Sequence, residues 1–165
     1  MIALKKILVP TDFGEAADRA LNYARALART FGGSIDVLHV VEDASARIYA
    51  GEIYIAMAPT LQKEIEDAAR AELEKRSIDN DPDPLPVHRV VITSNAPAMT
   101  IVNYAKEAGT DLIVMGTHGR GPMAHLLMGS VAERVVRLAG CPVLVVRHPE
   151  HEFVVPDALV ASAKA

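Results

Sequence analysis

The 165-residue sequence contains one cysteine, Cys141, and no tryptophan. A single cysteine excludes an intramolecular disulfide and a cysteine-cluster metal site. Because Cys141 lies between a predicted helix and a predicted strand, we expect a small buried filler there and not a reactive thiol. The histidines show no pair at His-x3-His or His-Glu-x2-His spacing, so the sequence does not predict a structural transition-metal site.

Long apolar runs and an excess of basic charge are also missing. No apolar segment approaches the roughly 20 residues of a membrane span, and the first residues show no signal-peptide pattern. The net charge of −4 provides no electrostatic attraction for nucleic acid or for an anionic membrane surface. We therefore expect a cytoplasmic protein that binds neither nucleic acid nor membrane.

Aromatic residues make up 4% of the chain although 50% of it is hydrophobic, so aliphatic residues and methionine must build the core. Short apolar runs, typical of strands covered on both faces, alternate with amphipathic helical patterns. The strands are predicted at residues 6–10, 35–41, 87–93, 111–115 and 143–146. This alternation predicts an α/β fold, a single doubly wound domain with a five-stranded parallel sheet in the order 3-2-1-4-5 and about four helices.

One domain is expected over residues 1–148. Residues 149–165 form a C-terminal tail that we expect to be at least partly disordered. Residues 42–59 connect the second strand to the second helix and carry several large apolar side chains. This composition favours a partly packed lid or a subunit contact over a loose surface loop.

The most informative motif is the glycine-rich loop after the fourth predicted strand. Gly116, Gly119, Gly129 and Ser130 have the spacing G-x2-G-x9-G-S, and an amphipathic helix follows. The loop holds about a dozen residues, more than the ~2–6 usual in α/β units. Such a loop can direct backbone N–H groups at an anion, which indicates a phosphate site. The alternative is structural: the glycines permit a tight turn, and Ser130 caps the helix in a capping box with Glu133.

A second segment, Pro10-Thr11-Asp12, ends the first predicted strand. In the order 3-2-1-4-5, strands 1 and 4 are neighbours at the topological switch point, so this segment and the glycine-rich loop converge on one cleft. Asp12 would accept a hydrogen bond from a ribose hydroxyl or help to hold a divalent cation on phosphates. The alternative is that Asp12 only caps the first helix, in a box with Glu15.

These segments resemble the universal stress proteins over residues 4 to about 147. The matching segments are Ile7-Leu-Val-Pro-Thr-Asp12, Leu38-His39-Val40, Asp111-Leu-Ile-Val-Met-Gly-Thr-His-Gly119, Gly129-Ser130-Val131 and Cys141-Pro-Val-Leu-Val-Val146. Family members of the nucleotide-binding type share the G-x2-G-x9-G-S/T pattern, so the resemblance implies bound ATP, with Mg or Mn on the nucleotide near Asp12.

The resemblance also implies which residues surround the nucleotide. Asp12 and Val40 would lie near the ribose and adenine, and the glycine-rich loop would surround the ribose and phosphates. His118 and Arg120 would touch a phosphate or, alternatively, face solvent. The predicted contact residues are Pro10, Thr11, Asp12, Val40, Met115, Gly116, Thr117, His118, Gly119, Arg120, Gly129, Ser130 and Val131.

Three functions remain open. The first is an ATP-binding regulator or nucleotide sensor of the stress response, and the resemblance implies a homodimer formed through the last strand, from Val143 to Arg147, an edge that would otherwise be unpaired and apolar. The second is a slow ATPase or phosphotransferase. Because no P-loop lysine follows the glycines and no general base is evident, we expect no catalytic residue and at most slow hydrolysis or autophosphorylation. The third is a dimeric interaction protein that does not use nucleotide.

Overall fold

The computed structural model describes residues 3–45, 57–76, 84–117 and 129–147. The strands are β1 (Lys6–Pro10), β2 (Ser34–Val41), β3 (Val87–Thr93), β4 (Leu112–Gly116) and β5 (Val143–Val146). The helices in these ranges are α1 (Glu15–Phe31), α2 (Ala58–Arg76), α3 (Pro97–Ala108) and α4 (Ser130–Leu138). The predicted tail and most of the predicted lid at residues 42–59 lie outside the described residues.

All the strand pairings are parallel, and the five-stranded sheet has the order β3-β2-β1-β4-β5. The predicted fold class and strand order are therefore confirmed. The strand order reverses between β1 and β4, so the carboxyl ends of these neighbouring strands border the switch point.

Helices cover both faces of the sheet. Successive side chains of a strand point to opposite faces, so Ile7 and Val9 enter the core under α1 and α2, whereas Leu8 enters the core under α3 and α4. In β4, Val114 and Ile113 divide in the same way. Double coverage explains why the strands are nearly continuous in hydrophobicity.

Alanines form the buried side of α1. Ala16, Ala20, Ala24 and Ala28 face the sheet, and their small side chains let the helix axis approach the strands closely. Gly32, at a φ of 63°, ends this helix in the left-handed conformation that glycine adopts without cost.

Asp36 is the buried carboxylate among the described core residues, with 2% of its surface exposed. Its carboxylate accepts a hydrogen bond from Tyr104 Oη on α3 at 2.9 Å, and its other oxygen lies 2.9 Å from Nδ1 of His88 on β3. Partners of this kind are required because a buried carboxylate without them is strongly destabilising. Burial, and then the bond to Asp36, raise the pKa of Tyr104 to about 12.

The two edges of the sheet differ in chemistry. The edge strand β3 exposes His88 and Arg89, whereas β5 exposes Leu144, with 37% of its surface accessible. In α4, which packs beside β5, Val136 and Leu138 are 43% and 47% exposed.

Cys141 is half-buried beside the core under α3 and α4, and burial raises the pKa of its thiol. Both observations agree with a filler side chain, because reactive thiols require a lowered pKa. No helix in the four described ranges is long and apolar enough to cross a membrane.

Candidate functional site

A cleft of about 440 Å³ lies at the carboxyl ends of β1, β2 and β4. This volume falls within the ~300–1,000 Å³ range of small-molecule sites. The described lining residues are Pro10, Thr11, Asp12, Ala17, Leu38, His39, Val40, Pro97, Ile101, Met115, Gly116, Thr117, Gly129, Ser130, Val131 and Ala132.

The lining contains every predicted site residue that the structure describes. These residues are Pro10, Thr11, Asp12, Val40, Met115, Gly116, Thr117, Gly129, Ser130 and Val131. His118, Gly119 and Arg120 lie outside the described residues, and their predicted role stays a prediction. The segment after β1 and the two ends of the glycine-rich loop therefore meet at one cleft, as the strand order requires.

The β1 side of the cleft is a compact turn. The backbone N–H of Thr11 donates to the carbonyl of Leu38 at 2.9 Å, which fixes the turn to β2. Thr11 Oγ1 accepts from the N–H of Phe13, and Asp12 Oδ1 accepts from the N–H of Gly14, both at 3.0 Å. Two side chains thus hold the backbone of a turn that borders the cleft.

Asp12 does not cap α1. Gly14 is the N-cap residue, no side chain caps this helix end, and α1 begins at Glu15. The predicted capping box with Glu15 was therefore wrong. Asp12 instead closes a turn to the residue two positions later, a local bond that aspartate forms readily.

Phe13 has a φ of 63°, which costs an L-residue with a side chain roughly 1–2 kcal/mol. Its ring is nearly buried, with its centroid 4.2 Å from that of His39 and 5.7 Å from the guanidinium carbon of Arg76. A bulky residue held left-handed beside a cleft is a local strain that its surroundings must maintain.

His39 is a lining residue that the sequence prediction missed. Its Nδ1 lies 2.7 Å from the carbonyl oxygen of Thr11. A carbonyl can only accept, so Nδ1 carries the hydrogen and donates it. The predicted strand order could have identified His39, because β2 neighbours β1 and the last residues of β2 therefore also reach the cleft. The same reasoning from neighbouring elements would have added Leu38, Pro97, Ile101 and Ala132.

On the β4 side, the ends of the glycine-rich loop are joined. The N–H of Gly129 donates to the carbonyl of Thr117 at 2.7 Å, and the N–H of Thr117 donates to Val146 at 2.9 Å. These bonds place the start of α4 directly beside the end of β4.

Gly129 is the N-cap of α4, and Ser130 is its first helical residue. The N–H of Glu133 donates to the carbonyl of Gly129 at 2.9 Å, and no side chain caps this end. The predicted capping box of Ser130 and Glu133 was therefore wrong. The first N–H groups of α4 have no partner within the helix, and this end of a helix attracts anions.

The cleft changes in polarity with depth. Leu38, Ile101 and Met115 are nearly fully buried, Asp12 is half-buried, and Ser130 is exposed. Among the described lining residues, Asp12 and His39 are the titratable side chains, and none is lysine or arginine. The arrangement suits a ligand with a flat apolar part inside and a polar or anionic part towards the opening.

Comparison with known proteins agrees with this description. The profile of the universal stress protein family matches residues 3–147. Universal stress protein MJ0531 of Methanocaldococcus jannaschii is 33% identical over 148 residues, which cover 90% of this chain and 85% of the relative. Universal stress protein MJ0577 of the same organism is 30% identical over 156 residues, which cover 88% of this chain and 96% of the relative.

Solved structures show the same fold. The structure of MJ0577 matches with a TM-score of 0.76 at 28% identity, over 91% of this chain and 100% of that chain. A universal stress protein from Archaeoglobus fulgidus in complex with dAMP matches with a TM-score of 0.54 at 22% identity, over 88% of this chain and 99% of that chain. At 22% identity, the likeness to the dAMP complex shows the fold alone.

Proposed function

This chain belongs to the universal stress protein family, and from that premise we propose that it binds ATP in the cleft and acts as a cytoplasmic regulator or nucleotide sensor of the stress response. The observation that supports ATP binding most is the convergence of two features on one cleft: the Thr11–Asp12 turn after β1 and the N-terminus of α4. The first supplies hydroxyl and carboxylate groups, and the second supplies N–H donors.

The graded polarity of the cleft supports an adenine nucleotide in one orientation. The base would lie against the buried side chains of Leu38, Ile101 and Met115, and the phosphates would lie near the exposed Ser130 at the start of α4. Backbone N–H groups and the helix dipole would bind the phosphates there. The dAMP complex of a protein with the same fold supports adenine nucleotides as the ligand class.

Asp12 supports a role for a metal ion. It is the one carboxylate among the described lining residues, and a carboxylate beside phosphates is repulsive unless a cation lies between them. Mg or Mn on the nucleotide would remove this repulsion, because both prefer oxygen ligands from carboxylates and phosphates. If Asp12 instead accepts from a ribose hydroxyl, binding would not depend on the metal.

We propose a sensor in preference to an enzyme. Efficient phosphoryl transfer requires stabilisation of charge on the transferred group and an oriented nucleophile. The described lining residues include no lysine or arginine, and Nδ1 of His39 is already bonded to Thr11. This set favours holding the nucleotide over transferring its phosphate.

We also propose that the chain forms a homodimer through β5. Leu144 on this edge strand and Val136 and Leu138 on α4 are exposed apolar side chains. The opposite edge, β3, exposes His88 and Arg89, which discourage strand pairing. Pairing of β5 with a second copy would satisfy the outer edge of β5, which no other described strand pairs, and would cover apolar surface.

The test is a titration of the purified chain with ATP, with and without Mg, together with a measurement of phosphate release. We expect saturable binding, tighter with Mg, and little turnover. Asp12→Asn keeps a side-chain oxygen for the turn to Gly14, so it should fold normally and lose most of the Mg dependence. Absence of ATP binding under both conditions would refute the proposal. Fast release of phosphate would instead favour the alternative function, an ATPase or phosphotransferase.

A further inference from the structure

Resting on the proposed nucleotide site, we infer that Phe13 is a positioning residue for the ligand. It is held left-handed by its contacts with β2 and α2 and thereby fixes the Thr11–Asp12 turn against the cleft. Phe13 does not line the cleft itself. It acts through Thr11 and Asp12, the two residues that precede it, because these two residues line the cleft.

The backbone conformation is the first step of the argument. Phe13 is the one non-glycine residue with a positive φ in the described ranges, at 63°. Glycine or asparagine would adopt this conformation at lower cost. A phenylalanine here means that the ring contributes something that offsets the strain, and strain of this kind concentrates at ligand sites.

The second step is what holds the ring. The ring centroid lies 4.2 Å from that of His39, with the planes inclined by 34°, and 5.7 Å from the guanidinium carbon of Arg76. The distance to Arg76 lies within the ~6 Å range of cation–π contacts, and the two rings are in direct contact, slightly closer than the ~4.5–7 Å usual for aromatic pairs. The two contacts come from different elements, the end of β2 and the end of α2.

Both holding groups are themselves anchored. His39 Nδ1 donates to the carbonyl of Thr11 at 2.7 Å, so the residue that stacks on Phe13 also holds the turn. Arg76 forms ion pairs with Asp18 on α1, at 2.6 Å, and with Glu72 one turn earlier in its own helix. The position of the Phe13 ring is thus tied to three elements of the fold.

The third step is what the ring controls. The φ of Phe13 sets where the N–H of Gly14 lies relative to Asp12 Oδ1, its acceptor at 3.0 Å. If Phe13 relaxed to a negative φ, Gly14 would move away and the Asp12 carboxylate would lose this hydrogen bond. The strained residue therefore determines where the single carboxylate of the described lining points.

The experiment compares Phe13→Leu and Phe13→Asn with Phe13→Tyr. Leucine keeps bulk without a ring, asparagine tolerates the left-handed conformation without a ring, and tyrosine keeps the ring. We expect Phe13→Leu, which lacks the ring and favours a negative φ, to weaken Mg-ATP binding about tenfold or more, and Phe13→Asn, which tolerates the positive φ, to weaken it less. The amide hydrogen of Gly14 should exchange faster by a similar factor in Phe13→Leu, whereas Phe13→Tyr should keep both ATP affinity and Gly14 exchange near their wild-type values.

Leu112→Ala is the matched control, because Leu112 is buried at the opposite end of β4 and does not line the cleft. It should lower thermal stability while ATP affinity and Gly14 exchange change by less than about twofold. If a Phe13 variant fails to fold, Arg76→Gln removes the cation–π contact from the other side and should accelerate Gly14 exchange.

Unchanged affinity and unchanged Gly14 protection in Phe13→Leu would overturn the inference. Unchanged affinity with faster Gly14 exchange would overturn it too, since the turn would then not position the ligand. If the wild-type chain binds no nucleotide, the proposed function fails, and Phe13 has no ligand to position.

Discussion

Gly116 lies directly against Ala16: a Cβ added to Gly116 would stand 2.7 Å from the Cβ of Ala16 and 2.9 Å from its carbonyl carbon. Backbone cannot give way as the end of a flexible side chain can. The first glycine of the G-x2-G-x9-G-S spacing is therefore required by the packing of α1 on β4. This requirement exists whether or not a phosphate lies nearby.

Gly116→Ala should destabilise the fold. Overpacking of this kind costs about 1–3 kcal/mol, and the nearest atoms are those of Ala16. Gly140→Ala is the matched control, because a Cβ at Gly140 meets nothing within 4 Å. The control should change the free energy of unfolding by at most about 1 kcal/mol, in the stabilising direction. Urea unfolding of both variants checks this, and equal midpoints would show that Gly116 tolerates a side chain.

The fold was predictable from the sequence because the hydrophobic patterns indicate which segments form strands and helices and which strands are covered on both faces. The run at Ile7, Leu8 and Val9 is buried on both faces, and this double burial predicts a central parallel strand and hence the position of the switch point. From that point, the convergence of Asp12 and Gly129 on one cleft follows without further information.

Local helix ends were less predictable. Ser130 and Glu133 match a capping box in sequence, but the helix begins one residue earlier than the pattern requires, with Gly129 as its N-cap. The pattern describes which residues can form a cap, and the bond between Gly129 and Thr117 decides where the helix starts. That bond depends on tertiary structure, which the local pattern does not contain.

Phe13 and His39 were not identified for a related reason. A left-handed phenylalanine has no sequence signature, since the preference at such positions is for glycine or asparagine. Its conformation depends on His39 and on Arg76, which is distant in sequence. Positions that violate local preferences are the ones that sequence patterns predict worst.

Tyr104→Phe should destabilise the protein by about 1–3 kcal/mol, because it removes a hydrogen bond to a buried carboxylate. The bond joins Tyr104 Oη to Asp36 over 2.9 Å, and Asp36 is 2% exposed. Tyr23→Phe removes a hydroxyl from a side chain that is 44% exposed, and should change stability by less than about 0.5 kcal/mol. Chemical unfolding at neutral pH checks both. A small effect in both variants would mean that His88 alone satisfies Asp36.

The same tyrosine makes stability depend on alkaline pH. The folded-state pKa of Tyr104 is raised to about 12 from the usual 10.0, so folding favours the protonated phenol. This stabilisation is fully present below pH 10 and is lost as the pH rises towards 12. The difference in free energy of unfolding between wild type and Tyr104→Phe should therefore shrink over this window. A difference that stays constant would contradict the shifted pKa.

Leu144→Lys should convert the proposed homodimer into a monomer. Leu144 is 37% exposed on β5, so the lone subunit should accept a lysine there, whereas a pairing edge would not. Met57→Lys is the control, because Met57 is 59% exposed immediately before α2, away from β5. Sedimentation velocity distinguishes the outcomes. A dimer that persists in Leu144→Lys, or dissociates in Met57→Lys, would exclude β5 as the interface.

Ser130→Glu separates the nucleotide site from the stability of the fold. Ser130 is exposed in the first turn of α4, where a negative charge favours the helix by about 0.3–1 kcal/mol. The same charge would occupy the position proposed for the phosphates and repel them. We therefore expect ATP affinity to fall about tenfold or more while the melting temperature is unchanged or higher. Thr60→Glu adds the same charge to the first turn of α2, where no acidic residue lies, and should leave affinity unchanged. Equal ATP affinity in wild type and Ser130→Glu, measured by calorimetry, would show that the phosphates do not lie at this helix end.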